Sequence, residues 1–146
     1  PVDDGGAGVT LASLKGIVVD NTKAKLTGKW THGGGLPYVG ADYAYARGPG
    51  NTATFEFTVP ATGSYEVRFA SAAHENRASN TAVTVRHAGG EAKVTVNQRA
   101  NPPIDTRWFP LGTHRFNAGQ TYAVVVDAAA ANGNAHIDAV QLLPAP

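Results

Sequence analysis

The sequence predicts an all-β protein, an antiparallel sandwich or barrel of about eight strands. Three observations carry this. β-Branched residues dominate the apolar set, with 15 Val and 14 Thr against 7 Leu, and such residues suit a pleated, half-buried surface better than a helix. Short runs of period two recur along the chain, separated by Gly-containing turns. No run has a helical period: Ala128–Ala131 is the one helix-prone piece, and Asn132-Gly133-Asn134 ends it.

Residues 1–10, rich in Gly and Asp, read as a linker leading into a single module over 11–146. Ile17-Val18-Val19 is a first strand, stopped by the turn pair Asp20-Asn21. After Trp30, the run Gly33-Gly34-Gly35 opens a long aromatic loop that lasts until Tyr43. Phe55, Phe57 and Val59 then alternate with polar residues, Pro60-Ala61-Thr62-Gly63 turns the chain, and Tyr65, Val67 and Phe69 alternate in turn, which predicts a hairpin. Val83 and Val85, the turn Ala88-Gly89-Gly90, and Val94 and Val96 predict a second. His114 and Phe116, the turn Asn117-Ala118-Gly119, and Tyr122, Val124 and Val126 predict a third. His136–Leu142 is the closing strand.

A chain of 146 residues can bury about two-thirds of its unfolded surface without disulfides or structural metal. It has no Cys, which excludes zinc-ribbon, iron–sulfur and disulfide-scaffold chemistry. A net charge of +1 without runs of like charge gives no footprint for nucleic acid or an anionic membrane. Apolar stretches such as Tyr122–Val126 fall far short of the ~20 residues that span a bilayer. With Pro1 first and no basic-then-apolar leader, the sequence reads as a processed form or an excised piece of a larger protein. Catalytic signatures are missing too: there is no G-x-S-x-G elbow, P-loop or dinucleotide fingerprint, and the five histidines lack the spacing of a metal pair.

The ordered segments Val19-Asp20-Asn21, Gly28-Lys29-Trp30, Gly40-Ala41-Asp42-Tyr43, Gly63-Ser64-Tyr65-Glu66-Val67, Asn76-Arg77-Ala78-Ser79-Asn80, His87-Ala88-Gly89-Gly90, Leu111-Gly112-Thr113 and Asp138-Ala139-Val140 resemble the golvesin and xanthan-lyase type domain. That domain is an accessory β-sandwich similar to carbohydrate-binding modules, so the resemblance implies a sandwich of jelly-roll type rather than a barrel. It occurs at the C-terminus of bacterial polysaccharide-active enzymes and of proteins assigned as FAD-dependent oxidoreductases. The resemblance runs from about Ile17 to Pro144 and implies a noncatalytic module, without cofactor, that holds polysaccharide beside a parent catalytic domain in an extracellular or periplasmic protein. The sequence departs from the usual pattern at Gly33–Gly35 and at Pro102–Trp108, so specificity is not carried over.

Candidate ligand-binding residues follow from position and chemistry. Sugars stack an apolar C–H face on an aromatic ring while Arg, Asn and His take the hydroxyls. Trp108, Arg107, Tyr38, His32 and Tyr43 stand at strand ends or in loops where they could do this, and His74, Asn76 and Arg77 share one connecting loop. Trp108 is open between a ligand platform and a loop anchor, while Trp30 is expected to plug one end of the sandwich. Phe55, Phe57, Tyr65, Phe69, Phe116 and Tyr122 are expected in the core. Asp138 shares a face with Val140 and Leu142, so its buried carboxylate needs backbone N–H groups, a basic partner, or a structural calcium shared with Asp20. Two other functions fit the same residues: a packing domain without free ligand, and a small glycan-active enzyme whose loop acids, Asp42, Glu75 or Asp105, would have to pair across a groove.

Overall fold

A computed structural model describes residues 11–33, 39 and 42–146. The linker expected at residues 1–10 and the candidate Tyr38 lie outside them. Twelve strands form among the described residues rather than about eight: β1 (Ile17–Asp20), β2 (Lys25–Thr27), β3 (Thr31–Gly33), β4 (Tyr43–Ala46), β5 (Thr52–Phe57), β6 (Gly63–Ala70), β7 (Thr81–His87), β8 (Gly90–Val96), β9 (Trp108–Phe116), β10 (Tyr122–Asp127), β11 (Ala135–Ile137) and β12 (Ala139–Pro144). They pair as a four-stranded sheet β1-β12-β6-β9, a five-stranded sheet β2-β5-β10-β7-β8 and a three-stranded sheet β11-β4-β3. All strand pairs are antiparallel.

The two larger sheets enclose the main core. Val67, Phe69, Val140 and Leu142 enter from one side, and Phe55, Val83, Val85, Val124 and Val126 from the other. All six aromatics expected there are buried. Phe116 sits at the centre of an aromatic cluster drawn from both sheets, with edge-on neighbours Tyr122 at 5.1 Å, Phe57 at 5.3 Å and Tyr65 at 6.0 Å between centroids. Such pairs add about 0.5–1.5 kcal/mol each beyond area burial.

Only one of the three expected hairpins forms. β7 and β8 pair in register across the two-residue loop Ala88-Gly89, with His87 opposite Gly90. β5 instead pairs with β2 and β10, while β6 pairs with β12 and β9, and β10 lies between β5 and β7. The physical reason is loop length. A two-residue loop reaches only the adjacent strand, about 4.8 Å away, whereas the longer connections after Phe57 and Phe116 can cross the ~10 Å between sheets. The closing strand is also corrected: it breaks at Asp138, with β11 in the three-stranded sheet and β12 in the four-stranded one.

A second, smaller core lies on the outer face of the four-stranded sheet. Trp108 packs there with Val39, Ala70 and Ala139 under Leu14, Val18 and Ile104. Ala70 and Ala139 are opposite each other across β6 and β12, and Ala70 is opposite Trp108. Two small side chains in a row leave room for the indole to lie against the sheet.

Candidate functional site

A cleft of about 220 Å3 opens where β4 and β11 meet the connection between β6 and β7. In β4, Ala44 and Ala46 point inward, so Tyr43 and Tyr45 share the opposite face and stand half-buried along the cleft. Their ring centroids are 6.3 Å apart. Gly33 is opposite Tyr43 in the β3–β4 register, and a Cβ there would stand 2.9 Å from the Tyr43 ring. The glycine therefore lets the ring lie down on β3.

The connecting loop adds His74, Asn76 and Arg77. It is stitched to the chain before β11 by a parallel bridge between Arg77 and Asn134: Asn134 N donates to Asn76 O at 3.0 Å and Ala78 N to Asn134 O at 2.9 Å. Gly133 is required at this seam, because a Cβ would come within 2.7 Å of Arg77 O. Asn80 braces the same region through Asn132 N and Ala130 O. Arg77 is only 5% exposed. Its guanidinium carbon lies 5.8 Å from the Tyr43 ring centroid, and Nη1 donates to Asn76 Oδ1 at 3.4 Å.

His136 completes the cleft and was not among the expected residues. It is fully buried, with its ring 4.6 Å from that of Tyr43. Its backbone is clasped by the buried side chain of Gln98: Nε2 donates to His136 O at 2.6 Å, and His136 N donates to Oε1 at 2.9 Å. Gln98 Nε2 also donates to Ser71 Oγ at 3.0 Å. Ser71 Oγ also lies 3.2 Å from His136 Nδ1, donating to it or accepting from it according to the imidazole tautomer. Nε2 is buried and has no hydrogen-bond partner within the protein. Burial, and secondarily the charge of Arg77, push the His136 pKa well below 6.5, so the ring is neutral at physiological pH. Among the described residues, no acidic side chain lines the cleft. It therefore offers two aromatic faces, a cation and an unpartnered ring nitrogen, a set suited to a hydroxylated ligand.

The other expected residues lie elsewhere. His32 leaves β3 opposite Ala44, on the face away from Tyr43, and its Nδ1 meets Asp42 Oδ2 at 3.1 Å. Trp108 is 2% exposed and is a loop anchor; a ring with no free face cannot stack on a sugar, which corrects its place among the ligand contacts. Arg107 is beside it in a separate hollow. Trp30 packs half-buried against the main core, with Nε1 donating to Thr27 O at 3.0 Å.

Asp20 and Asp138 are both buried. Asp20 Oδ2 caps the turn after β1, accepting from Thr22 N at 3.2 Å and Thr22 Oγ1 at 2.6 Å. Asp138 Oδ2 accepts from Val39 N at 3.2 Å, and Asn21 N donates to Asp138 O at 2.8 Å. Asp20 Oδ1 and the neighbouring Asn21 Oδ1 are buried without a donor. Oxygens of this kind suit a hard cation, although the described residues hold no cluster of three or more acidic or histidine side chains.

With this geometry in place, comparison with known proteins assigns the chain. Residues 17–144 match the Golvesin C-terminal domain. The chain belongs to that family. The domain is 32% identical over 133 residues to a xanthan lyase of Bacillus sp. (strain GL1), a match covering 86% of this chain and 13% of the lyase. The structure of Paenibacillus xanthan lyase superposes on the domain with a TM-score of 0.81 at 38% identity, over 88% of this chain and 13% of the lyase. The domain thus spans a small fraction of these relatives. Its fold is also that of a carbohydrate-binding module from Cellvibrio mixtus lichenase 5A, solved with cellotriose, with a TM-score of 0.61 at 14% identity over 89% of this chain and 98% of the module.

Proposed function

We propose that the domain is a noncatalytic carbohydrate-binding module that holds polysaccharide in the cleft over β4 and β11. It works outside the cytoplasm, within a longer bacterial polypeptide whose catalytic domain it keeps near its substrate. Such a module raises effective concentration rather than the rate of a chemical step. The observation that carries the reading is the pairing of the Tyr43 and Tyr45 rings with the buried, unpartnered Nε2 of His136. A buried polar atom without a partner costs about 1–3 kcal/mol, and a sugar hydroxyl entering the cleft, able to donate or accept, would recover part of it. Family membership and the shared fold of carbohydrate-binding modules support the same reading.

Affinity electrophoresis against a panel of bacterial and plant polysaccharides tests it, with Kd values expected on the order of micromolar to millimolar for so shallow a site. Tyr43→Ala and Arg77→Ala should abolish retardation. If the wild-type domain is not retarded by any polymer, a packing role without free ligand replaces this one.

A structural calcium between Asp20, Asn21 and Asp138 belongs to the same proposal, with carbonyls and water completing its shell. Its part would be to tie β1 to the β11–β12 junction. Millimolar calcium should then raise the melting midpoint and EDTA lower it. An unchanged midpoint leaves the two acids as hydrogen-bonded caps.

A further inference from the structure

A second hollow, of about 230 Å3, lies on the outer face of the four-stranded sheet. Arg68 and Gln141 are opposite each other on β6 and β12 and alternate with the core-facing Val67, Phe69, Val140 and Leu142. Arg68 is held in place by Glu66 through Nε at 2.7 Å and Nη2 at 3.2 Å, which leaves Nη1 outside that pair. Lys15 borders one rim and Arg107 another. Lys15, Arg68 and Arg107 thus line the hollow with one acidic side chain, Asp105, and Arg68 brings Glu66 with it.

Gln141 supplies the second, independent observation. It is 4% exposed, its Nε2 donates to Lys15 O at 2.9 Å, and its Oε1 is buried with no donor. A buried amide oxygen in the wall of a basic hollow calls for a ligand that brings a hydroxyl donor and an anionic group together. The rim loop is tightly held: Ile104 and Trp108 close it through mutual backbone hydrogen bonds at 2.9 and 3.0 Å. Within it, Asp105 and Thr106 take left-handed φ values of 53° and 51°, a conformation costly for a β-branched residue, and Arg107 follows directly.

We infer that this hollow is a second glycan site, selective for a carboxylate-bearing sugar unit. The carboxylate takes the basic rim, a ring hydroxyl donates to Gln141 Oε1, and Leu14 and Leu143 meet the C–H face. The inference rests on the carbohydrate-binding reading of the domain but uses residues separate from the first cleft. Two sites on one domain would let a single acidic polymer engage both, with the gain in avidity that linkage brings.

The test is a 1H–15N NMR titration of the whole chain with oligogalacturonate, its methyl ester and a neutral oligosaccharide. Oligogalacturonate should shift the amides of residues 13–15, 105–108 and 141–143 saturably, and the shifts should persist in Arg77→Ala. Arg107→Gln and Gln141→Leu should each weaken this site about tenfold, the loss expected for one charge-assisted or buried hydrogen bond. Equal binding of the methyl ester overturns the carboxylate requirement. Acidic-sugar shifts confined to residues 74–77 and 134–136 overturn the second site while leaving the first intact. No shift from any sugar at either place removes both readings.

Discussion

At the scale of single residues, Trp108 rather than Trp30 is the more deeply buried of the two tryptophans. Trp108 follows a Pro-rich stretch that reads as a loop, yet it is the largest fully buried side chain, because Ala70 and Ala139 clear a bed for it on the sheet. Trp108→Ala should therefore destabilise the domain by about 3–5 kcal/mol, through lost burial and a cavity that the rigid sheet cannot close. Trp30→Ala should cost clearly less, since that ring is only half-buried. Urea denaturation of the two variants checks the order, and an equal or larger loss for Trp30→Ala would contradict it. Gly33 makes a different kind of contribution: Gly33→Ala places a methyl against the Tyr43 ring and should tilt the ring away from β3. Polysaccharide affinity should fall several-fold while stability changes by less than about 1 kcal/mol, because the displaced group is the free end of a side chain. Calorimetric titration alongside thermal melting separates the two effects.

At the scale of elements, the strand positions are legible in the sequence and their partners are not. Alternation places Phe55, Tyr65, Val83 and Val124 correctly in the core because the period of two depends only on which face is buried. It is blind to which strand lies alongside. Loop length was the available discriminator, and it separates the true hairpin at Ala88-Gly89 from the two crossovers. In the candidate site, Arg77, Asn76, His74 and Tyr43 are legible as polar and aromatic loop chemistry, whereas His136 hides in what reads as an ordinary closing strand. Gln98 is more hidden still, since its partners Thr81, Ser71 and His136 are 17, 27 and 38 residues away. Its side chain pairs with both the N–H and the C=O of His136, standing in for a neighbouring strand at the free edge of β11. Gln98→Leu should consequently cost at least about 3 kcal/mol, because several buried groups lose their partner together and each costs about 1–3. Hydrogen exchange should show the amides of β11 losing protection first. Uniform loss across all strands would mean that Gln98 is not a specific clasp.

At the scale of the whole molecule, the buried His136 couples folding to pH. Its folded-state pKa lies well below the unfolded value of 6.5, chiefly through burial. His87, stacked on His114 at 4.6 Å, is shifted in the same direction by desolvation and by its neighbour. That pair is only partly buried and is screened by solvent, so its share is small. Above pH 6.5 neither the folded nor the unfolded chain protonates His136, and its contribution is fully present. As pH falls below 6.5 the unfolded chain takes up a proton that the folded chain refuses, so stability declines with a slope approaching about 1.4 kcal/mol per pH unit, until the folded pKa is reached and the loss levels off. Urea denaturation between pH 7.5 and 5 should show this decline in the wild-type domain, a range that stays above the ordinary titration of the carboxylates. His136→Gln keeps a polar side chain of similar reach but cannot titrate, so its stability, although lower at pH 7.5, should run nearly flat over the same range. A variant slope equal to that of the wild type would place the proton uptake at another group and remove His136 as the pH-sensitive element of the fold.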